Sequence, residues 1–213
     1  MGRLVVIEGL DGAGKRTLTD ALDAALAQRG ASTARFAFPR YDTDVHAELV
    51  ADALHGRLGD LGESVHGMAV LFALDRRGAA DELRAALERV EVVLLDRYVA
   101  SNAAYGAARL RQDAGGEFVE WVHALEIERF GLPVPDLQLL LRVPRELAAA
   151  RAAGRERDDA ARTRDAFESD DGLQARCAAV YDQLADRSWL SPWRVLDGTS
   201  RIVAEELAAQ LLG

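Results

Sequence analysis

With 213 residues the chain is long enough to bury a full core in one domain, or one domain with a lid, and too short for two independent domains. Its 49% hydrophobic and 29% charged residues are the balance of a globular protein and exclude a disordered one. A net charge of −9 and a pI of about 5.0 weigh against a sequence-independent grip on a nucleic-acid backbone, so any basic site must be local.

The N-terminus runs straight into a strand pattern, RLVVIEG, without the regions of a signal peptide, and no apolar run approaches the ~20 residues of a membrane helix. A single cysteine, Cys177, excludes an internal disulfide. A cytoplasmic protein without membrane contact is the expectation. His46, His55, His66 and His123 lack metal-ligand spacing, which argues against a zinc site.

After RLVVIEG and a glycine loop, KRTLTDALDAALAQRG sets Leu18, Leu22, Ala25 and Leu26 on one helical face and stops at Gly30. STARFAF is a second strand, ended by Pro39. Helical periodicity then covers Asp44 to Leu54 and Ser64 to Leu87, with His55 to Gly62 as the connection. EVVLLD, Glu91 to Asp96, has the continuous apolar character of a parallel strand covered on both faces. Two more helices are expected over Val99 to Gln112 and Glu117 to Arg129. The strand LQLLLRV, Leu137 to Val143, follows, and then a helix from Pro144 into a polar segment at about 151–167. A helix from Glu168 to Asp186, a strand WRVLD and a helix from Ser200 to Leu212 close the chain. Five strands alternating with helices predict an α/β fold, a single domain over 1–213 with an open parallel five-stranded sheet covered on both faces. Its sites belong at the carboxyl ends of the strands.

GLDGAGKRT departs from the phosphate-loop pattern G-x-x-x-x-G-K-[S/T] at one position, because Arg16 stands where the hydroxyl residue belongs. Context supports a phosphate loop nonetheless. A strand precedes it and a helix follows, so the amides of Gly9, Gly12, Ala13, Gly14, Lys15, Arg16 and Thr17 converge at a helix N-terminus, where anions bind. Of the 26 Lys+Arg residues, Lys15 alone is lysine, at the position where a slim point charge suits a tight loop better than a planar guanidinium.

Asp96 and Arg97 end the strand EVVLLD; helix capping would explain the aspartate but not the arginine beside it. FPRY, Phe38 to Tyr41, ends the second strand at the same edge. Its aromatic-Pro pair at a sharp exit from the strand leads to the expectation that Phe38–Pro39 is cis. The polar segment carries Arg151, Arg155, Arg157, Arg162 and Arg164, an arginine-rich lid for a transferring phosphoryl group or else a solvated charged face.

GLDGAGKRT, FPRY, LFALDR (Leu71 to Arg76), DRYVASNAAY (Asp96 to Tyr105) and RAAGRERDDAARTRDAFE together resemble thymidylate kinase, in the form found in mycobacteria and related actinobacteria. The resemblance runs in order through nearly the whole chain. It implies the nucleoside-monophosphate kinase fold, transfer of a phosphoryl group from ATP to dTMP, Mg²⁺ as cofactor, and a homodimer. By position, it implies that Lys15 and the loop amides hold the donor phosphates, and that Arg97 and Tyr41 grip the acceptor phosphate. Phe72 would stack on thymine, Arg76 and Asn102 would bond its edge, and Tyr105 would favour a deoxy sugar. Phe38 and Phe167 belong to the same acceptor site, and Arg155 and Arg162 would close over the phosphates. Phe167 stands where tyrosine is common in the family, and Glu156, Asp158 and Asp159 make the lid less basic than its arginine count suggests.

Arg16 displaces the usual metal ligand, and Thr17 is turned about 100° around the helix. Asp11 and Glu168 supply hard oxygens suited to Mg²⁺, so the metal is expected near the acceptor phosphate, with Arg16 neutralising donor phosphate. Within enzymes, the rival reading is a kinase for another monophosphate or a deoxynucleoside. A GTP-dependent switch commonly reads guanine with N-K-x-D, and no second lysine exists here to supply it.

Overall fold

The computed structural model describes residues 1–41, 43–144, 146–148, 150–151, 167, 170–200 and 202–213. Five strands, β1 (Arg3–Glu8), β2 (Thr33–Ala37), β3 (Val92–Asp96), β4 (Leu137–Arg142) and β5 (Trp193–Asp197), form one parallel sheet in the order β2-β3-β1-β4-β5. Leu4, Val5, Val6 and Ile7 are each at most 1% exposed. Successive strand residues point to opposite faces, so both faces of the sheet are covered. The edge strand β2 is only partly buried, which explains why STARFAF mixes polar with apolar residues while β1 and β3 do not.

Around the sheet lie α1 (Lys15–Gln28), α2 (Val45–Leu54), α3 (Val65–Gly78), α4 (Ala80–Arg89), α5 (Val99–Arg109), α6 (Glu117–His123), α7 (Asp171–Asp186) and α8 (Ala204–Leu212). Register sets Ile7 and Ala37 both opposite Asp96, so β1, β2 and β3 end together at one edge. The turns that leave this edge carry the residues of interest.

Five expectations are corrected. The helical stretch from Ser64 to Leu87 is two helices, divided at Ala79. Arg40 and Asp44 pack against Gly78, where a Cβ would lie 2.7 Å from Asp44 Oδ2. A short 3-10 helix, Gly59–Glu63, interrupts the connection expected before them. The stretch from Glu117 to Arg129 changes at Ala124 into a π turn, Ala124–Arg129. Finally, α7 begins at Asp171, with the Asp170 side chain accepting from the Leu173 N–H at 2.9 Å, and α8 begins at Ala204 rather than Ser200.

Candidate active site

The loop after β1 bends through left-handed backbone at Gly12 (φ 82°) and Gly14 (φ 101°), the latter serving as N-cap of α1. Gly12 also has no room for a side chain, since a Cβ there would meet the Ala148 carbonyl at 2.0 Å. Lys15 is 8% exposed, and its Nζ donates to the carbonyls of Leu10 at 2.9 Å and Gly9 at 3.2 Å. The loop thus curls around its own lysine. Burial and the nearby Arg97 charge outweigh Asp11, Asp96 and Glu8, and push the Lys15 pKa down to about 8. Arg16 and Thr17 are exposed on the first turn of α1. Thr17, with Gly12, Gly14, Gly198 and Ser200, lines a cavity of about 560 Å³ that opens beside the loop.

Across the loop, Arg97 leaves β3 with φ 67°, a left-handed conformation costly for a residue with a Cβ. Its guanidinium is held from two sides. Nη2 pairs with Asp11 Oδ1, while Nη1 donates to Ser101 Oγ at 3.0 Å. Tyr105 donates to the other Asp11 oxygen at 2.7 Å. Burial alone would raise the Asp11 pKa, but the charges of Arg97 and Lys15 and the Tyr105 hydroxyl prevail and hold it well below the ordinary value. The Arg97 pKa is raised, its burial outweighed by Asp11.

Behind Arg97 sits Glu8, 0% exposed at the end of β1. Its Oε1 accepts from the Tyr98 N–H at 2.9 Å and the Ser101 N–H at 3.3 Å; Oε2 accepts from Ser101 Oγ at 2.6 Å and the Tyr181 hydroxyl at 3.0 Å. A buried carboxylate is tolerated here because four donors and a nearby guanidinium satisfy it.

The expected base-binding residues form a second group. Phe72 is half-buried against the cluster of Val50, Ala53, Leu54 and Met68. Arg76 and Asn102 meet on a buried carboxylate, Glu126: Arg76 donates from Nε at 2.6 Å and Nη2 at 2.7 Å, and Asn102 donates from Nδ2 at 2.8 Å. Phe167 stacks on Tyr105, ring centroids 6.2 Å apart, and carries the Arg109 guanidinium 4.8 Å from its own centroid. Phe38 is 4% exposed and packs against Tyr98, ring centroids 6.1 Å apart. The Phe38–Pro39 bond is cis. Tyr41 is 43% exposed in the turn that follows. Its neighbour Arg40 joins that turn to α3 through Asp75, from Nε at 2.8 Å and the backbone N–H at 3.0 Å.

Asp11, Arg97, Lys15 and Tyr105 are therefore brought together, and Arg76 with Asn102 form a neighbouring pair. Arg155, Arg162 and Glu168 lie outside the described residues, as does most of the lid. Glu8, Glu126, Tyr181 and Arg40 were not singled out by sequence reasoning. Glu8 had a signal, as a carboxylate inside the buried run RLVVIEG. Glu126 had none, since the π turn that buries it breaks the helical period.

For a metal, no cluster of three or more His, Cys, Asp or Glu exists among the described residues. Mg²⁺ is commonly bound through one or two carboxylates together with substrate phosphates. Asp11 fits that role, because its neighbours keep it ionised and each oxygen retains acceptor capacity beyond its one bond.

A lysine-bearing phosphate loop whose own aspartate pairs with an arginine across the carboxyl edge of a parallel sheet defines a phosphate-loop phosphotransferase. Comparison narrows the class. The family model described as thymidylate kinase matches residues 7–194. Thymidylate kinase of Mycobacterium tuberculosis (strain H37Rv) is 51% identical over 193 residues, covering 91% of this chain and 90% of that one. That of Leifsonia xyli subsp. xyli is 36% identical over 213 residues, covering 99% and 92%. A solved thymidylate kinase structure from Candida albicans shares the fold, with a TM-score of 0.70 at 21% identity over 99% of this chain and 89% of that one. The chain belongs to the thymidylate kinase family.

Proposed function

We propose that the protein transfers the γ-phosphoryl group of ATP to dTMP, giving ADP and dTDP in the supply of dTTP, as a Mg²⁺-dependent cytoplasmic homodimer. The observation that carries the reading is the Asp11–Arg97–Tyr105 constellation, in which the phosphate loop's own aspartate is held by Arg97 and Tyr105. Phosphoryl transfer asks little covalent chemistry of a protein; alignment and charge neutralisation carry most of it.

In this reading the loop amides and Lys15 hold the donor phosphates, with adenosine in the cavity beside Thr17 and Gly198. Arg97 binds the acceptor phosphate, and Tyr41 assists from the neighbouring turn. Phe72 packs on the thymine ring while Arg76 and Asn102 read its edge. The Tyr105 ring fills the space where a ribonucleotide carries its 2′-hydroxyl, with Phe167 stacked behind it. Asp11 would hold Mg²⁺, with Glu168 assisting, and the metal supplies neutralisation of phosphate charge. Arg155 and Arg162 of the lid would close over the transferred group.

The test is formation of ADP with and without dTMP, repeated with dUMP, dGMP and AMP. Turnover that requires dTMP and exceeds that with the other acceptors is expected. ADP formation independent of acceptor, or faster with AMP or dGMP, overturns the reading.

A further inference from the structure

Asn102 is 5% exposed, and both hydrogens of its amide nitrogen are spent: Nδ2 donates to the Ala69 carbonyl at 3.0 Å and to Glu126 Oε1 at 2.8 Å. Exchanging the amide atoms would set an oxygen against two acceptors, so the partners decide the orientation. The other edge of Asn102, Oδ1, is then an acceptor. Among the described residues no donor meets it and no buried side-chain polar atom lacks a partner, so Oδ1 is not sealed in the core and is the acceptor left for a ligand. Glu126 orients Arg76 in the same way. It takes Nε and Nη2 in a two-pronged bond; among the described residues no hydrogen bond engages Nη1, and since no buried side-chain polar atom lacks a partner, Nη1 is the donor left for a ligand.

Glu126 is 0% exposed although it lies in a stretch, HALEIER, whose charges suggest a surface helix. The π turn Ala124–Arg129 makes the difference. Its wider winding, with the Phe130 N–H bonded to the Leu125 carbonyl at 3.0 Å, carries Glu126 inward to the two side chains. An isolated buried carboxylate would be costly, and here every oxygen of Glu126 is matched by a donor from Arg76 or Asn102.

We propose that Glu126 is a specificity-determining positioning residue of the acceptor-base site: it holds Asn102 Oδ1 outward as an acceptor and Arg76 Nη1 outward as a donor. That pair matches a pyrimidine presenting an N–H beside a carbonyl, as thymine and uracil do. Cytosine presents a ring acceptor beside an amino donor and meets the wrong partner at both positions. The proposal rests on the reading of Arg76 and Asn102 as base-contacting residues.

The experiment compares kcat/KM for dTMP and dCMP in the unmodified enzyme, Glu126→Gln, Asn102→Ala and the double variant. In Glu126→Gln the dTMP/dCMP ratio is expected to fall about tenfold, through a raised KM for dTMP with KM for ATP unchanged. Lost folding alone leaves that ratio in place, because both acceptors meet the same population of folded enzyme. Glu126 acts through Asn102 and Arg76, so the double variant should lose less than the product of the separate effects. An unchanged ratio in Glu126→Gln beside a reduced one in Asn102→Ala overturns the proposal alone, as does a full product in the double variant. An unchanged ratio in Asn102→Ala overturns the base-contact reading and the proposal with it. Glu126→Asp, with the charge on a shorter stem, is measured alongside. If neither Glu126 variant folds, the proposal is overturned, since selectivity then has no part separable from folding.

Discussion

The Tyr105 hydroxyl donates to Asp11 Oδ2 at 2.7 Å and so ties α5 to the loop that follows β1. Burial and the Asp11 charge raise the Tyr105 pKa well above its ordinary value, which keeps the phenol a donor throughout the neutral range. Replacing Tyr105 by Phe removes that donor and leaves the ring stacked on Phe167. A hydrogen bond to a charged group contributes about 1.5–3 kcal/mol, so kcat/KM for dTMP should fall roughly ten- to a hundredfold. In the proposed reading the ring still fills the sugar's 2′ side, so the preference over the ribonucleotide should persist. Kinetics with both acceptors check the two halves separately. A lost deoxy preference would transfer that role from the ring to the hydroxyl.

Those parts of the fold governed by short-range patterning were legible in the sequence. The continuous apolar runs of β1 and β3 and the glycine stop after α1 depend on local burial alone, and all five strands stand where the runs predict them. Breaks caused by distant partners were not legible. Helices α3 and α4 part at Ala79, next to Gly78, whose missing Cβ leaves the room that the side chains of Arg40 and Asp44 occupy. At the site, Asp11, Lys15 and Arg97 announce themselves as charges at strand ends. The residues that orient them do not: Tyr181 looks like an ordinary apolar-face residue of α7, yet its hydroxyl reaches Glu8 at 3.0 Å.

Glu8 supplies the second prediction. Its two oxygens accept four bonds, two from hydroxyls and two from backbone N–H groups that open α5. Glutamine in its place keeps the shape but turns an N–H₂ toward donors. Unfolding free energy should drop by about 2–3 kcal/mol in urea titration, the range for losing bonds to a buried charged acceptor. Tyr181→Phe removes one of those four donors and should cost less, about 1.5 kcal/mol, the lower end for a bond to a charged group. Equal losses in the two variants would mean that the carboxylate charge adds nothing beyond the Tyr181 bond.

A third prediction concerns pH. Burial and the Arg97 charge lower the Lys15 pKa from 10.5 to about 8. Between these values the unfolded chain binds a proton that the folded chain does not, so raising the pH through this window favours the folded state as far as Lys15 is concerned. Function runs the opposite way. In the proposed reading donor phosphates bind the charged ammonium, so KM for ATP should rise above about pH 8, by up to tenfold per unit, while KM for dTMP changes less. Initial rates from pH 7 to 9.5, with each substrate varied in turn, test this. Parallel rises for both substrates would assign the effect to a group other than Lys15.

The exposed Arg16 on the first turn of α1 bears on the last prediction. A hydroxyl at its position would ordinarily serve the metal, and Thr17 points about 100° away around the helix. Asp11 lies within the loop, stays ionised and faces Arg97. Asp11→Asn should therefore raise the Mg²⁺ concentration needed for half-maximal activity. It should also lower kcat/KM by several kcal/mol in transition-state terms, since it weakens the hold on Arg97 as well. Arg16→Thr restores the usual loop residue but leaves the acceptor side intact. Its Mg²⁺ requirement should stay close to that of the unmodified enzyme, with KM for ATP modestly raised by the lost charge. Titration of Mg²⁺ at saturating ATP and dTMP separates the two variants. Unchanged metal dependence in Asp11→Asn would remove the aspartate from the metal's surroundings, and a gain of activity in Arg16→Thr would return the metal to the ordinary loop position.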